Sequence, residues 1–72
     1  MIEEDIRAKI LEDMPNSEVA VMVEGNRASI TVVSPLLRDL NRVQRHQRIY
    51  QFIDHYISDG TLHAVNIVAR SD

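Results

Sequence analysis

Three runs of β-branched residues, spaced unequally, limit the folds open to this 72-residue chain. Valines alternate with other side chains at residues 19–23, and a second run follows at 30–33 after a short turn at 24–27. Gly25 and Asn26 in that turn suit the left-handed backbone of a tight hairpin. The third run, at 62–68, comes only after a long segment of helical periodicity. This spacing predicts two hairpin strands and a third strand that is reached through helices.

Helical periodicity marks the start and the middle of the chain. Isoleucines every four residues from Ile2 predict a helix over residues 2–13, which the proline that follows brings to an end. Ser34 followed by Pro35 is typical of a helix N-cap with proline at the first helical position. The pair predicts a short helix that ends near residues 40–41 and leads into the main helix.

The main helix is predicted over residues 42–58, with Gly60 as its left-handed cap. At about 100° per residue, one broad apolar face holds Val43, His46, Ile49, Tyr50, Ile53, Tyr56 and Ile57. On this face His46 is predicted to be buried with a satisfied hydrogen bond. His55, on the opposite face, is predicted to be exposed to solvent.

These elements predict a single α+β domain over residues 1–72, in the order α-β-β-α-α-β, with helices covering one face of a three-stranded sheet. The absence of cysteine excludes disulfides and a thiol nucleophile, and it fits a reducing compartment. The acidic N-terminal residues 1–5 are followed by no apolar region of the kind a signal peptide has. No apolar run approaches the roughly 18 residues of a membrane span. We therefore expect a cytoplasmic protein with no membrane partner.

Charge is distributed unevenly along a chain whose net charge is −3. Residues 1–26 carry seven acids against two bases, whereas residues 27–48 carry one aspartate against Arg27, Arg38, Arg42, Arg45 and Arg48. A local basic segment in an acidic protein indicates a face for an anionic partner. The acidic balance argues against strong general affinity for nucleic acid, which is usually a property of basic domains.

The basic segment and the third strand carry motifs that resemble the BolA family in residue type, order and spacing. The matching pairs are Asn41-Arg42, Arg45-His46 and Ile49-Tyr50 in the main helix, then His63-Ala64 at the third strand. The resemblance covers nearly the whole chain, because the order of the elements matches as well. It implies the class II KH-like arrangement of that family.

The resemblance also implies a function. BolA-like proteins pair with monothiol glutaredoxins and share a bridging 2Fe–2S cluster with them, and some are described as DNA-binding transcriptional regulators. In the cluster role, the family uses the histidine at the position that matches His63, so His63 is the expected metal ligand here. The isolated chain is expected to bind no cluster, and Arg27, Arg38, Arg42, Arg45 and Arg48 are expected to contact the partner or nucleic acid.

Two departures from the family pattern bear on the cluster. The family often takes a second ligand, His or Cys, from the loop between the first two strands, but residues 24–29 contain neither, and Arg27 or a neighbour occupies that place. The usual aromatic-Gly pair before the arginine motif is replaced by residues 37–40, Leu-Arg-Asp-Leu. One alternative is therefore a protein that binds its partner without sharing a cluster.

The residues bear on two other classes of function. A nucleic-acid-binding regulator would use the short helix, turn and main helix like a helix-turn-helix, with arginines on phosphate. The Gly-x-x-Gly clamp of KH domains is missing, so DNA binding is expected to be weak. An enzyme is not expected, because the sequence shows no paired nucleophile and base at a readable spacing.

Overall fold

The structure is a computed structural model that describes residues 2–71; Met1 and Asp72, the two ends of the predicted domain, lie outside the described residues. The elements follow in the order α1 (Ile2–Asp13), β1 (Glu18–Glu24), β2 (Arg27–Val33), a single 3-10 turn (Pro35–Leu37), α2 (Arg42–Tyr50), α3 (Asp54–Ser58) and β3 (Ala64–Arg70). The predicted α+β class is confirmed. Ser34 caps this turn as predicted, its hydroxyl accepting from the Leu36 N–H at 3.2 Å. The predicted short helix is wrong in extent, because the element is a 3-10 turn that ends at Leu37 rather than near residues 40–41.

The prediction of one continuous helix over residues 42–58 is wrong, because a turn separates α2 from α3. Phe52 and Ile53 donate to the carbonyls three residues earlier, at 3.1 and 2.9 Å, rather than four. Ile53 has φ −121° and ψ −4°, which lies outside the helical region. Its β-branched side chain lowers the helix propensity at this position. Asp54 in the first turn of α3 then favours a new helix start through the helix dipole.

The sheet has the order β1-β2-β3, with β1 antiparallel to β2 and β2 parallel to β3. A parallel pair needs a long crossover connection, which the helical segment between β2 and β3 supplies. Val21, Ile30 and Ile67 stand in one row across the three strands, on the face that the helices cover. The core is aliphatic, and its buried members are Ile6, Ile10, Met14, Ile30, Val32, Leu37, Ile49 and Ile53.

Helix α1 closes the outer edge of β1 with side chains. The Val23 N–H donates to Glu3 Oε2 at 3.1 Å, and Arg7 Nε donates to the Val19 carbonyl at 3.4 Å. Both backbone groups point away from β2, so α1 uses two of the groups through which another strand would pair. The other edge of the sheet is formed by β3. Within the described residues, no helix is long and apolar enough to cross a membrane.

Candidate metal-ligand and partner-binding site

His63 is an exposed side chain on a fixed segment of backbone. Its N–H donates to the Asn26 carbonyl in the β1–β2 turn at 2.8 Å. Immediately before it, Leu62 is buried in the core, with 1% of its surface exposed. The imidazole therefore projects into solvent from a position that the core on one side and the turn on the other hold in place.

The loop that delivers His63 is held by its own hydrogen bonds. Thr61 N–H donates to Asp59 Oδ1 at 2.9 Å, and Leu62 N–H donates to the Tyr56 carbonyl at 3.0 Å. The hydrogen bonds from Thr61 hold the pKa of the Asp59 carboxyl below its usual value. Gly60 has φ +83° and ends α3 as predicted, because a left-handed residue is needed at that point.

The β1–β2 turn lies beside His63, as the resemblance requires of a loop ligand. Gly25 turns the chain with φ +60°, and Arg27 at the start of β2 pairs in register with Ala64. Neighbouring strands lie about 4.8 Å apart, so Arg27 and His63 lie at the same end of the sheet. Arg27 is exposed there, but a guanidinium has no lone pair to offer a metal.

The remaining four arginines lie away from His63. The start of α2 is near the far end of β3, where Arg42 and Arg45 line a groove with Ile67, Val68 and Ala69. The seven residues of β3 span about 20 Å at roughly 3.3 Å per residue. The predicted site residues thus fall into two groups, one at each end of the sheet.

Two of the four arginines are engaged in contacts within the protein. Arg45 Nε donates to the Leu40 carbonyl at 2.9 Å, and its Nη2 donates to Ser71 Oγ at 3.4 Å. Arg48 forms an ion pair with Asp13 at 3.2 Å, which ties α2 to the end of α1. Arg38 and Arg42 are exposed, and neither pairs with a carboxylate among the described residues. These two remain the best placed to contact a partner.

The prediction that His46 is buried is wrong. His46 is exposed, and its ring stacks on Tyr50 with the centroids 6.0 Å apart and the planes 17° from parallel. Val43, expected on the same apolar face, is 64% exposed. The buried side of α2 instead runs through Ile49 and the half-buried Arg45, whose aliphatic stem covers apolar surface while its guanidinium hydrogen-bonds. His55 is exposed, as predicted, and lies against Tyr56.

Asn26 and Leu62 hold the backbone of His63 in place, and the sequence patterns did not indicate either contact. Asn26 acts through its backbone carbonyl, which no side-chain pattern reports, and Leu62 was assigned to the strand rather than to an anchor before it. The sequence signal for this arrangement was an apolar residue followed directly by a histidine at residues 62–63. Within residues 2–71, no group of three or more His, Cys, Asp or Glu side chains is placed to hold a metal ion.

Tyr56 connects α3 to the first turn of α1. Its hydroxyl donates to Asp5 Oδ2 at 2.6 Å, and Lys9 lies 3.4 Å from the same oxygen. The hydrogen bond from Tyr56, helped by Lys9, lowers the pKa of the Asp5 carboxyl below 3.8, and the same bond raises the pKa of Tyr56 above 10.0. The contact fixes the helix from which the His63 loop departs.

We predict that Tyr56→Phe returns the pKa of Asp5 towards 3.8. A lowered carboxyl pKa contributes stability above pH 3.8 that is lost as the pH falls through the folded value, and a raised phenol pKa contributes stability below pH 10.0 that is lost as the pH rises past the folded value. The variant should weaken the first dependence, because Lys9 still acts on Asp5, and should lose the second together with the phenol. Carbon-detected NMR titration of the Asp5 carboxyl measures the first directly. Tyr50→Phe is the matched control, and equal shifts in both variants would contradict the assignment.

Comparison with known proteins gives a consistent result. The family model described as BolA-like protein matches residues 9–72. The acid stress protein IbaG of Escherichia coli K12 is 29% identical over 65 residues, covering 90% of this chain and 77% of that protein. The structure of BolA1 from Arabidopsis thaliana superposes with a TM-score of 0.85 at 20% identity, covering 99% of this chain and 92% of the other. The structure of the BolA domain of SufE1 from Arabidopsis thaliana superposes with a TM-score of 0.72 at 26% identity, covering 96% of this chain and 90% of the other.

Proposed function

Because this chain belongs to the BolA-like family, we propose that it is a binding module for a monothiol glutaredoxin, with His63 as its one ligand to a shared 2Fe–2S cluster. The observation that carries the proposal is the exposed imidazole of His63 on a backbone bonded to the β1–β2 turn. A ligand shared between two proteins must be exposed before they meet and must be held in one place. His63 meets both conditions.

The donors present fit a half-site rather than a whole one. Imidazole nitrogen is an established iron–sulfur ligand, and it replaces thiolate in clusters of higher potential. The described residues hold no group of three or more His, Cys, Asp or Glu side chains that could bind a metal. The remaining ligands would therefore come from the glutaredoxin and from the thiol of its bound glutathione. When bound, the cluster would supply one-electron redox chemistry or be passed on intact. The chain itself contributes one nitrogen and the surface around it.

Arg27 departs from the family pattern at the end of the sheet where His63 lies. The exposed guanidinium lies at the same end of the sheet and suits carboxylate or phosphate groups. A glutaredoxin cluster site includes the carboxylates of glutathione, so Arg27 would bind charge there rather than iron. The substitution thus exchanges a metal contact for an anion contact at the same place.

The regulator alternative has less support from the geometry. Of the four arginines expected on phosphate, Arg45 and Arg48 hold internal contacts, which leaves Arg38 and Arg42 on the helical segment. Each phosphate contact contributes about −0.9 to the log–log salt slope on duplex DNA, so two contacts give weak and nonspecific attraction. Submicromolar, sequence-selective binding at about 150 mM salt would reverse this ranking.

Anaerobic reconstitution tests the proposal. The chain is mixed with an equimolar monothiol glutaredoxin, glutathione, ferrous iron and sulfide, and the products are separated by size exclusion with absorption and circular dichroism in the visible region. We expect a heterodimer whose visible spectrum differs from that of the glutaredoxin reconstituted alone. A heterodimer that carries no cluster would overturn the ligand role and leave a partner-binding protein. The absence of any heterodimer would overturn the proposal as a whole.

A further inference from the structure

The two edges of the sheet are not equivalent. The edge of β1 is covered by α1, whose Glu3 and Arg7 bond to its backbone. At the other edge, Arg70 turns its carbonyl towards β2, where it accepts from the Ser34 N–H at 2.9 Å. Successive residues of a strand alternate in direction, so the backbone groups of Ile67 and Ala69 point outward. Among residues 2–71, no side chain bonds to the backbone of either residue.

A basic groove runs beside this open edge. Ile67, Val68 and Ala69 form one wall, and Arg42, Arg45 and His46 at the start of α2 form the other. The groove residues include two arginines and no acid. Arg45 is held by Leu40 and Ser71, whereas Arg42 is exposed and available to a ligand. An edge strand with outward donors and acceptors, flanked by positive charge, suits an extended acidic chain.

We propose that the outer edge of β3 and Arg42 form a docking site for an extended acidic peptide segment of another protein, which adds to the sheet as a fourth strand. The backbone of Ile67 and Ala69 would supply paired hydrogen bonds, and Arg42 would bind a carboxylate of the peptide. The site lies along the middle and the C-terminal half of β3, whereas His63 precedes the strand, and it does not depend on the glutaredoxin proposal.

Charge and geometry favour this occupant over two others. A second copy pairing through its own β3 would bring its Arg42 and Arg45 against the same arginines, and like charges at an interface oppose association. The β1 edge of a second copy is covered by its own α1. Nucleic acid could contact Arg42 but would not match the peptide spacing of the donors and acceptors along β3.

The test uses a synthetic eight-residue peptide of alternating valine and glutamate, titrated into ¹⁵N-labelled protein. We expect shifts and slowed hydrogen exchange at the amides of Ile67 and Ala69, and affinity that falls with added salt. A peptide with lysine in place of every glutamate should bind about tenfold or more weakly, because it meets Arg42 with like charge. A glutamate peptide N-methylated at every residue, which removes the donors along both of its edges, should not slow exchange at these amides.

Two exposed arginines provide a matched pair of variants. Arg42→Glu should weaken binding of the glutamate peptide about tenfold and improve the lysine peptide, since it reverses one charge on the groove wall. Glutamate is tolerated in the first turn of a helix, so folding should persist. Arg38→Glu makes the same change of charge outside the groove and should alter either affinity by less than about twofold.

Several results would overturn the assignment. These are equal binding of the two peptides, shifts confined to the exposed face of the sheet, and equal effects of the two variants. Slowed exchange at Ile67 and Ala69 that rises with protein concentration and needs no peptide would identify a second copy as the occupant. Loss of DNA binding in Arg42→Glu, without any peptide effect, would assign the groove to nucleic acid.

Discussion

His63→Ala should remove or strongly alter the visible spectrum of the reconstituted heterodimer while leaving the chain folded. The imidazole is exposed and precedes β3, so its loss removes no core packing. The N–H that bonds to Asn26 belongs to the backbone and survives the substitution. Substitutions of this kind usually change the free energy of unfolding by no more than about 0.5 kcal/mol. Visible circular dichroism of the heterodimer and urea denaturation of the free chain measure the two effects.

His55→Ala is the matched control, because His55 is also an exposed histidine but lies on α3. It should leave the spectrum unchanged. His63→Cys adds a second test, since thiolate is the commoner iron–sulfur ligand and should restore a cluster with shifted bands. An unchanged spectrum in His63→Ala would remove this residue from the site, even if the two proteins still formed a complex.

Ile30→Ala should unfold much of the protein at room temperature. Ile30 is fully buried on the central strand, in a row with Val21 and Ile67. Truncating a buried isoleucine to alanine costs about 2–5 kcal/mol, whereas a single core in a domain of this size rarely supplies more than about 3–5 kcal/mol. Far-ultraviolet circular dichroism with urea denaturation measures the loss.

Two milder variants show whether burial is the cause. Ile30→Val keeps most of the side chain and should cost about 0.5–1.5 kcal/mol. Met22→Ala truncates a side chain on the exposed face of the sheet, 64% accessible, and should change the free energy of unfolding by no more than about 0.5 kcal/mol. Similar losses in Ile30→Ala and Met22→Ala would show that the two faces of the sheet are not distinguished as the structure indicates.

Local chemistry was enough to predict the order of the elements, apart from the break that divides the main helix into α2 and α3. Pro15 ends the first helix, Gly25 turns the hairpin, Ser34 caps the 3-10 turn and Gly60 ends α3, each through a preference of its own backbone or side chain. These signals act within a few residues of where they occur. The parallel pairing of β3 with β2 then follows from the helical connection between them.

The orientation of α2 could not be predicted in the same way, because it depends on contacts distant in sequence. Arg45 replaces an apolar residue on the buried side through bonds to Leu40 and Ser71, and Arg48 reaches Asp13 on α1. A hydropathy pattern treats both arginines as exposed, and it therefore predicts a buried face that includes His46. The fixed position of His63 was likewise hidden, since it depends on the backbone carbonyl of Asn26.

The bonds from Glu3 and Arg7 to β1 have a consequence for assembly. Growth of a continuous intermolecular sheet requires every molecule to accept a strand on one side and to offer one on the other. With α1 in place, β3 is the sheet edge that can pair with another molecule. A molecule bound through β3 can therefore end such a sheet but cannot extend it further. Release of α1 would convert the same chain from a terminator of sheet polymerisation into a link in it.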